Sequence, residues 1–488
     1  MQSKETSDTS IPGAGLTRRG LLVGAAALGL SVLEVDALGG VVNAATPQTA
    51  RTQASGTVYV EIDAGHNQEP ITKNTPAMQK KFGITVKQVA LPFVGQYEKL
   101  VTELISRSGA YDLMFFPPYF LGDFVAKKFV LPLKSYAARK DPSVNTLLPV
   151  FRDTITIKNG KRYALTYDGD ILYVYYRRDL WNDPTEKKDF QKKYGYPLAP
   201  PKTWDEYMDL AKFFHRPPHL YGTAFYGQRG FSYGWWANIW AGLGGHWFDA
   251  KTMKTQINSP AGLRALKYLL EMKKVSPPDV LSYGYDALRN AFFLGKFAMC
   301  VQWGDLHKKS FGGDPQAPSK IAGKLGSAPC PNGKSYMPYS RIGAISASGK
   351  NPDGAYDVLW YLQQPAVSDD YVTDPKNGID ACRYSNLRPA NWIKRFPQYP
   401  ALVTEYAKTM RANLLQGFPE LSIPGAPTYI DKLDLYINQA LAGQIKPKVA
   451  LDSAAREWES LTDSLDRNAQ RQAYLTWIST FRKAGIKY

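Results

Sequence analysis

RYALTYDGDILYVYYRRDLW, Arg162 to Trp181, is two extended runs, rich in tyrosine, valine and leucine, on either side of Asp168-Gly169-Asp170. Before it, TVYVEIDAG (57–65) is β-rich and ends in glycine, and ITVKQVAL (84–91) reads as a second strand. QYEKLVTELISRSG (96–109) puts Tyr97, Leu100, Val101, Leu104 and Ile105 on one helical face, with Gly109 as the stop. YDLMFF (111–116) follows as a short buried strand, then a short helix. The order β-β-α-β-α is that of a mixed α/β domain.

After Trp181 the pattern starts again. In PKTWDEYMDLAKFFH (201–215), Thr203 and Glu206 form a capping box, and Trp204, Tyr207, Met208 and Ala211 make the apolar face. NSPAGLRALKYLLEMKK (258–274) is a helix capped by Ser259 with Pro260 in its first turn. ALRNAFFLGKFAMCVQWGD (287–305) runs from a helix through glycine into a buried strand. The last 70 residues or so are mostly helical, with Trp458, Leu461 and Leu465 spaced to bury one face.

The N-terminus is a leader in its own right. LTRRGLLVGAAALGLSVLEVDALGGVVNAATPQ (16–48) has paired arginines, then an apolar run from Leu21 to Leu33 that is shorter than the roughly 20 residues a membrane span needs, then small residues near Ala44 and Ala45. It resembles a twin-arginine export signal, with Val23 in place of that signal's usual lysine. No cysteine lies near the expected cleavage point, so the expectation is an exported, soluble periplasmic protein and not a lipoprotein. Residues 1–45 are read as signal and 46–56 as spacer.

The 488-residue chain carries a formal charge of +17, scattered in pairs such as QKKFG and YYRRD with no long basic run. That is a solvated mixed surface, and export also argues against nucleic acid. Cys300, Cys330 and Cys382 are far apart with no Cys-x-x-Cys pair, leaving open one disulfide plus an odd thiol or three buried thiols. His215 and His219 have metal-like spacing, but Pro217 and Pro218 break the helix that would align them. No metal or cofactor is expected. The 31 Tyr, 11 Trp and 21 Phe are the informative part: many sit in polar, glycine-rich stretches. Their flat faces and polar tips suit a ligand with C–H faces and hydroxyls.

Five stretches in order resemble the extracellular solute-binding proteins of family 1, the carbohydrate receptors of bacterial import transporters. YDLMFFPPYFLGDFVAKKFVLPL (111–133) resembles the family's strand, ligand loop and turn, with Lys128-Phe129 at the usual glycine; the central stretch resembles its first crossing between lobes. PPKTWDEYMDLAKFF, AFFLGKFAMCVQWGD and INQALAGQIKPKVALDSAAREWESL follow at the family's distances. The resemblance implies the type II periplasmic-binding-protein fold: two α/β lobes joined by a hinge the chain crosses more than once, with a ligand cleft between them. Lobe one is placed at 57–168 and 344–383, and lobe two at 169–343 and 384–488. It implies capture of a sugar, oligosaccharide or polyol by cleft closure, without catalysis, and delivery to an ABC permease in the inner membrane.

A sugar site needs carboxylates or guanidinium groups across neighbouring hydroxyls and an aromatic plate under the ring. Asp168 and Asp170 flank the crossover glycine, which would let one of them point into the cleft; a plain Asp-Gly turn is the alternative, weightier for Asp168 than for Asp170. Of the polar run His66-Asn67-Gln68-Glu69 after the first strand, Glu69 is selected. Tyr119 follows YDLMFF, where loop packing serves equally. In FYGQRGFSYGWWANIWAGLGG (225–245), Trp235 and Trp236 lie among glycines and are selected for stacking. Trp303 and Asp305 follow the strand FAMCVQW. Tyr339 and Arg341 precede the second crossing. Arg383 lies in IDACRYSNL, which resembles the family's G-x-P-x-R-x-S segment without its proline; for Arg341 and Arg383 a structural ion pair stands beside ligand contact. The rival class is a secreted glycosidase using two carboxylates, for which Asp168 and Asp305 are the candidates. No Gly-x-Gly-x-x-Gly turn marks a cofactor enzyme.

Overall fold

A computed structural model describes residues 56–312 and 318–486. The leader reading falls outside these residues. A five-stranded sheet takes, in spatial order, Ile84–Leu91, Gly56–Asp63, Leu113–Phe116, Arg341–Ile345 and Ala164–Asp168. The first three strands are parallel, with Val58 beside Val86 and Val60 beside Leu113; the last two run antiparallel to their neighbours. A three-stranded antiparallel sheet takes Met299–Trp303, Leu172–Arg177 and Leu325–Ala328, with Val174 between Val301 and Ala328. Both sheets belong to one compact unit, Gln53–Tyr488. Each is covered by helices, and the molecule is a two-lobed α/β protein.

The helix Glu69–Phe82 lies between the first two strands, so the first lobe begins β-α-β and not β-β. The parallel pairing requires such a crossover. Pro76 inside the helix obscures it in the sequence; Asn74 and Thr75 side chains donate to the carbonyls of Pro70 (2.8 Å) and Ile71 (2.9 Å) around it. The helix Gln96–Ser106 forms as its spacing predicts, burying Leu100 and Leu104, but Ile105 is exposed. Thr203 caps Trp204–Phe213, accepting from the Glu206 amide at 3.1 Å, and Ser259 caps Pro260–Lys274.

Three chain segments run side by side between the sheets: 168–171, 338–341 and 379–383. Gly169 lets two of them touch, since a Cβ there would run into the Ala381 carbonyl. The Asp380 amide donates to Asp168 Oδ1 at 2.7 Å, and Ser340 Oγ donates to the Asp170 carbonyl at 3.2 Å. After the third segment the chain packs helix Pro400–Leu414 on Leu325–Ala328, while the final helix, Arg467–Lys483, packs against the turn Val150–Thr154. Cys300, Cys330 and Cys382 are all buried and free. No helix among the described residues is long and apolar enough to cross a membrane.

Candidate functional site

A cavity of about 190 Å³ opens where the strands of both sheets end and the crossing segments meet. Strand ends are where an α/β fold presents side chains that its ladders do not use. Asp63 ends the strand Gly56–Asp63, Asp168 ends Ala164–Asp168, and Trp303 ends Met299–Trp303. All three line the cavity.

On the first-lobe side the chain leaves Asp63 through Gly65, whose φ of 121° and ψ of −151° suit glycine alone. That turn sends His66 and Asn67 into the cavity wall. Asn67 Nδ2 donates to Asp63 Oδ2 at 3.2 Å, and Tyr167 Oη donates to the Asn67 carbonyl at 3.0 Å. Asp63 also takes the guanidinium of Arg341, Nε to Oδ1 at 2.7 Å and Nη2 to Oδ2 at 3.1 Å. Burial and the neighbouring positive charges of Lys309, Arg289, Lys308 and Arg341 hold His66 well below its usual pKa, so it is a neutral imidazole.

On the second-lobe side Trp303 donates its indole N–H to the Pro338 carbonyl at 3.2 Å. Tyr285 lies between His66 (4.6 Å) and Trp303 (6.1 Å), and donates its hydroxyl to Asp305 Oδ2. Phe93 from the first lobe stacks on Phe231 from the second at 5.4 Å. Tyr339 holds a φ of 66°, a strained position for a residue with a side chain, and its hydroxyl donates to the Gly230 carbonyl at 2.6 Å. The two lobes thus face each other through aromatic rings with carboxyls between them.

Those carboxyls are displaced upward in pKa. Burial raises Asp168 to about 7, against the lowering effect of the Asp380 amide and of Arg341 and Lys308. Burial first, and then the charges of Asp168 and Asp380, raise Asp170 well above the usual carboxylate range. Asp305 and Asp380 are also raised by burial. The Asp170 carboxyl makes no hydrogen bond or ion pair with another described residue, and Asp305 Oδ1 is buried without a partner.

Of the residues selected from sequence, Asp168, Asp170, Trp303, Asp305, Tyr339 and Arg341 line this cavity together. The other five lie elsewhere. Trp235 and Trp236 sit on the helix Ser232–Gly242, which is buried nearly all round. Trp235 stacks on Tyr226 at 4.2 Å behind Trp303 and donates to the Val301 carbonyl, while Trp236 stacks on Trp240 at 5.1 Å and donates to Gly262. Arg383 is fully buried, donating to Thr146, the Ser143 carbonyl and Gln363, where it braces the third crossing segment. Tyr119 lines a separate cavity with Tyr97 and Asp434. Glu69 begins the helix Glu69–Phe82 and faces Lys73 and Asp374 across another hollow. Among the lining residues that sequence reasoning did not select are Asp63, His66, Asn67, Phe93, Tyr285 and Asp286. The polar stretch after the first strand was the available signal for His66 and Asn67; Gly65 decides which of its residues turn inward.

Residues 65–376 match the family model described as bacterial extracellular solute-binding protein. The chain belongs to that family. Solved structures share the fold of this solute-binding protein. A maltose-bound MalE3 of T. maritima superposes with a TM-score of 0.70 at 19% identity, over 83% of this chain and 100% of that one. A solute-binding protein of Agrobacterium radiobacter in complex with ribitol gives 0.69 at 20%, over 84% and 100%. One of Agrobacterium vitis with bound D-mannitol gives 0.67 at 22%, over 84% and 99%. These likenesses establish the two-lobed fold. By sequence the chain is 26% identical over 332 residues to the "Probable amino-acid ABC transporter periplasmic-binding protein y4oP" of Sinorhizobium fredii, over 66% of this chain and 71% of that protein.

Proposed function

We propose that this solute-binding protein is a periplasmic receptor for one polyhydroxylated small molecule, a monosaccharide or an open-chain polyol, which it hands to an ABC permease. The observation that carries the reading is the wall built from both lobes: Asp168 and Asp170 on the crossing segment, Trp303 and Asp305 from the second lobe, His66 and Asn67 from the first. Carboxyls and a neutral imidazole accept from hydroxyls, and the indole covers a C–H face. Proteins of the same fold are described with maltose, ribitol and D-mannitol. At about 190 Å³ the cavity is small beside the roughly 300–1,000 Å³ of drug-sized sites, which favours one sugar unit over an oligosaccharide.

A ligand that touches both lobes stabilises their closed arrangement, and the crossing segments are the hinge. The closed form docks on the permease. Capture here is binding without turnover. The twin-arginine leader is read as delivering the mature chain to the periplasm; replacing both Arg18 and Arg19 with lysine is expected to abolish export, and normal periplasmic levels of that variant would refute the assignment.

The deciding experiment is a thermal-shift screen of the mature protein against sugars, polyols, sugar acids and amino acids. A ligand that binds the native state raises Tm by mass action. A rise with a sugar or polyol is the expected result. A rise with amino acids alone overturns the carbohydrate reading, and release of reducing ends from glycosides overturns the receptor reading.

A further inference from the structure

The cleft wall is acidic in a chain whose formal charge is +17. Asp63, Asp168, Asp170, Asp286 and Asp305 line the cavity, against one cation, Arg341. Arg341 is taken up by Asp63 and by the Tyr339 carbonyl. The other cations near the wall do not line the cavity and have protein partners of their own. Lys308 donates to the carbonyls of Val372 and Ile379 and to Asn377 Oδ1; Lys309 donates to the Pro375 carbonyl; Arg289 pairs with Asp286 at 2.9 Å.

What remains is a set of acceptors without donors. The Asp170 carboxyl is 7% exposed, lines the cavity and has no partner among the described residues. Asp305 Oδ1 and Asn67 Oδ1 are also buried without a hydrogen-bond partner. Unpartnered buried carboxyls are costly, and the cost is removed when a cation enters. Beside them stands the ring of Trp303, whose face attracts positive charge, while the rings of Tyr285 and Phe93 already face the guanidiniums of Arg289 and Arg341 at 5.1 Å each.

We propose that the cleft is selective for a hydroxylated solute that also carries a protonated amine, an amino sugar or amino polyol, its ammonium met by Asp170 and Asp305 and its ring or chain by Trp303 and Tyr285. The proposal rests on the receptor reading and narrows its ligand class. Burial raises the pKa of Asp168, Asp170, Asp305 and Asp380 in the empty protein, and a bound ammonium supplies the opposite charge that lets these groups ionise. An acidic sugar meets the reverse: the one lining guanidinium is already paired.

The test is titration calorimetry of the mature protein at pH 7.5 with matched pairs: glucosamine against glucose, galactosamine against galactose, and glucamine against sorbitol, with glucuronate added. The amine is expected to bind at least tenfold tighter than its neutral partner in any pair that binds. That ratio is expected to collapse in Asp170→Asn, with the unliganded variant's Tm and circular dichroism checked to show that it folds. A neutral sugar binding as tightly as its amine, or glucuronate binding tightest, overturns the amine proposal and leaves the receptor reading standing. Silence from every compound overturns the proposal, and the receptor reading falls with it only if the wider thermal-shift panel is silent too.

Discussion

The Arg341 guanidinium lies across the Asp63 carboxylate in a two-point contact of 2.7 and 3.1 Å, with both side chains nearly buried. It ties the strand Arg341–Ile345, where the chain re-enters the first sheet, to the end of Gly56–Asp63, two strands away. Removing one partner leaves the other charge buried and unpaired. Arg341→Met is therefore expected to lose about 3–5 kcal/mol in urea unfolding. Asp63→Asn combined with Arg341→Met should lose less than the sum of the single changes. A loss below about 1 kcal/mol in the single variant would show that the pair does not hold the sheet.

Trp303 and Trp235 are in edge contact at 5.3 Å, but only Trp303 lines the cavity. Trp303→Ala is expected to weaken the ligand found by the thermal-shift screen by tenfold or more, since an aromatic face against a ligand contributes about 1 kcal/mol or more beyond its area. Trp235→Ala removes core packing and should cost about 3–5 kcal/mol of stability. Calorimetry and urea unfolding on both variants separate the two roles. Equal losses of affinity and stability in both would refute the division.

Gly169 leaves no room for a side chain beneath the Ala381 carbonyl. Gly169→Ala is expected to push the first and third crossing segments apart and cost about 1–3 kcal/mol, by the mechanism of overpacking. Because the hinge runs through them, the ligand-induced rise in Tm should shrink as well. An unchanged rise in the variant would show that closure does not depend on this contact.

Asp168 titrates at about 7 in the folded protein because burial disfavours its charge, against an ordinary value of 3.8. A carboxyl whose folded pKa is raised binds more protons in the native state than in the unfolded one between those values. Its contribution to stability is present below about pH 4 and is lost as pH rises towards 7, by up to about 1.4 kcal/mol per pH unit. Glu61 and Glu420, raised by burial to about 8, have the same sign; His307, lowered by burial to about 3, has the opposite one. Asp168→Asn keeps the acceptor for the Asp380 amide but cannot ionise. The stability of the wild type minus that of Asp168→Asn should therefore fall between pH 4 and 7. A flat difference would place the pKa of Asp168 outside that window.

Much of the architecture was legible because strands, caps and glycine turns are local. The runs around Gly169 are rich in tyrosine, valine and leucine, so they read as strands, and Thr203 and Ser259 mark the starts of their helices by accepting from the amide three residues on. Asp168, Asp170, Trp303 and Asp305 were reachable because they stand at the ends of such strands. Pro76 hid one helix, since a proline interrupts the pattern that a folded turn can accommodate. What the sequence could not decide was which of two equally aromatic residues lies against open space. Trp235 is enclosed in a buried helix, while Trp303 ends a strand at the cavity. Arg341 lines the cavity beside Asp63, while Arg383 is spent on Ser143, Thr146 and Gln363. Local propensity depends on neighbours along the chain and is written in it. Access to a cleft depends on which distant segments meet, and that was settled only when three crossing strands and two sheets came together.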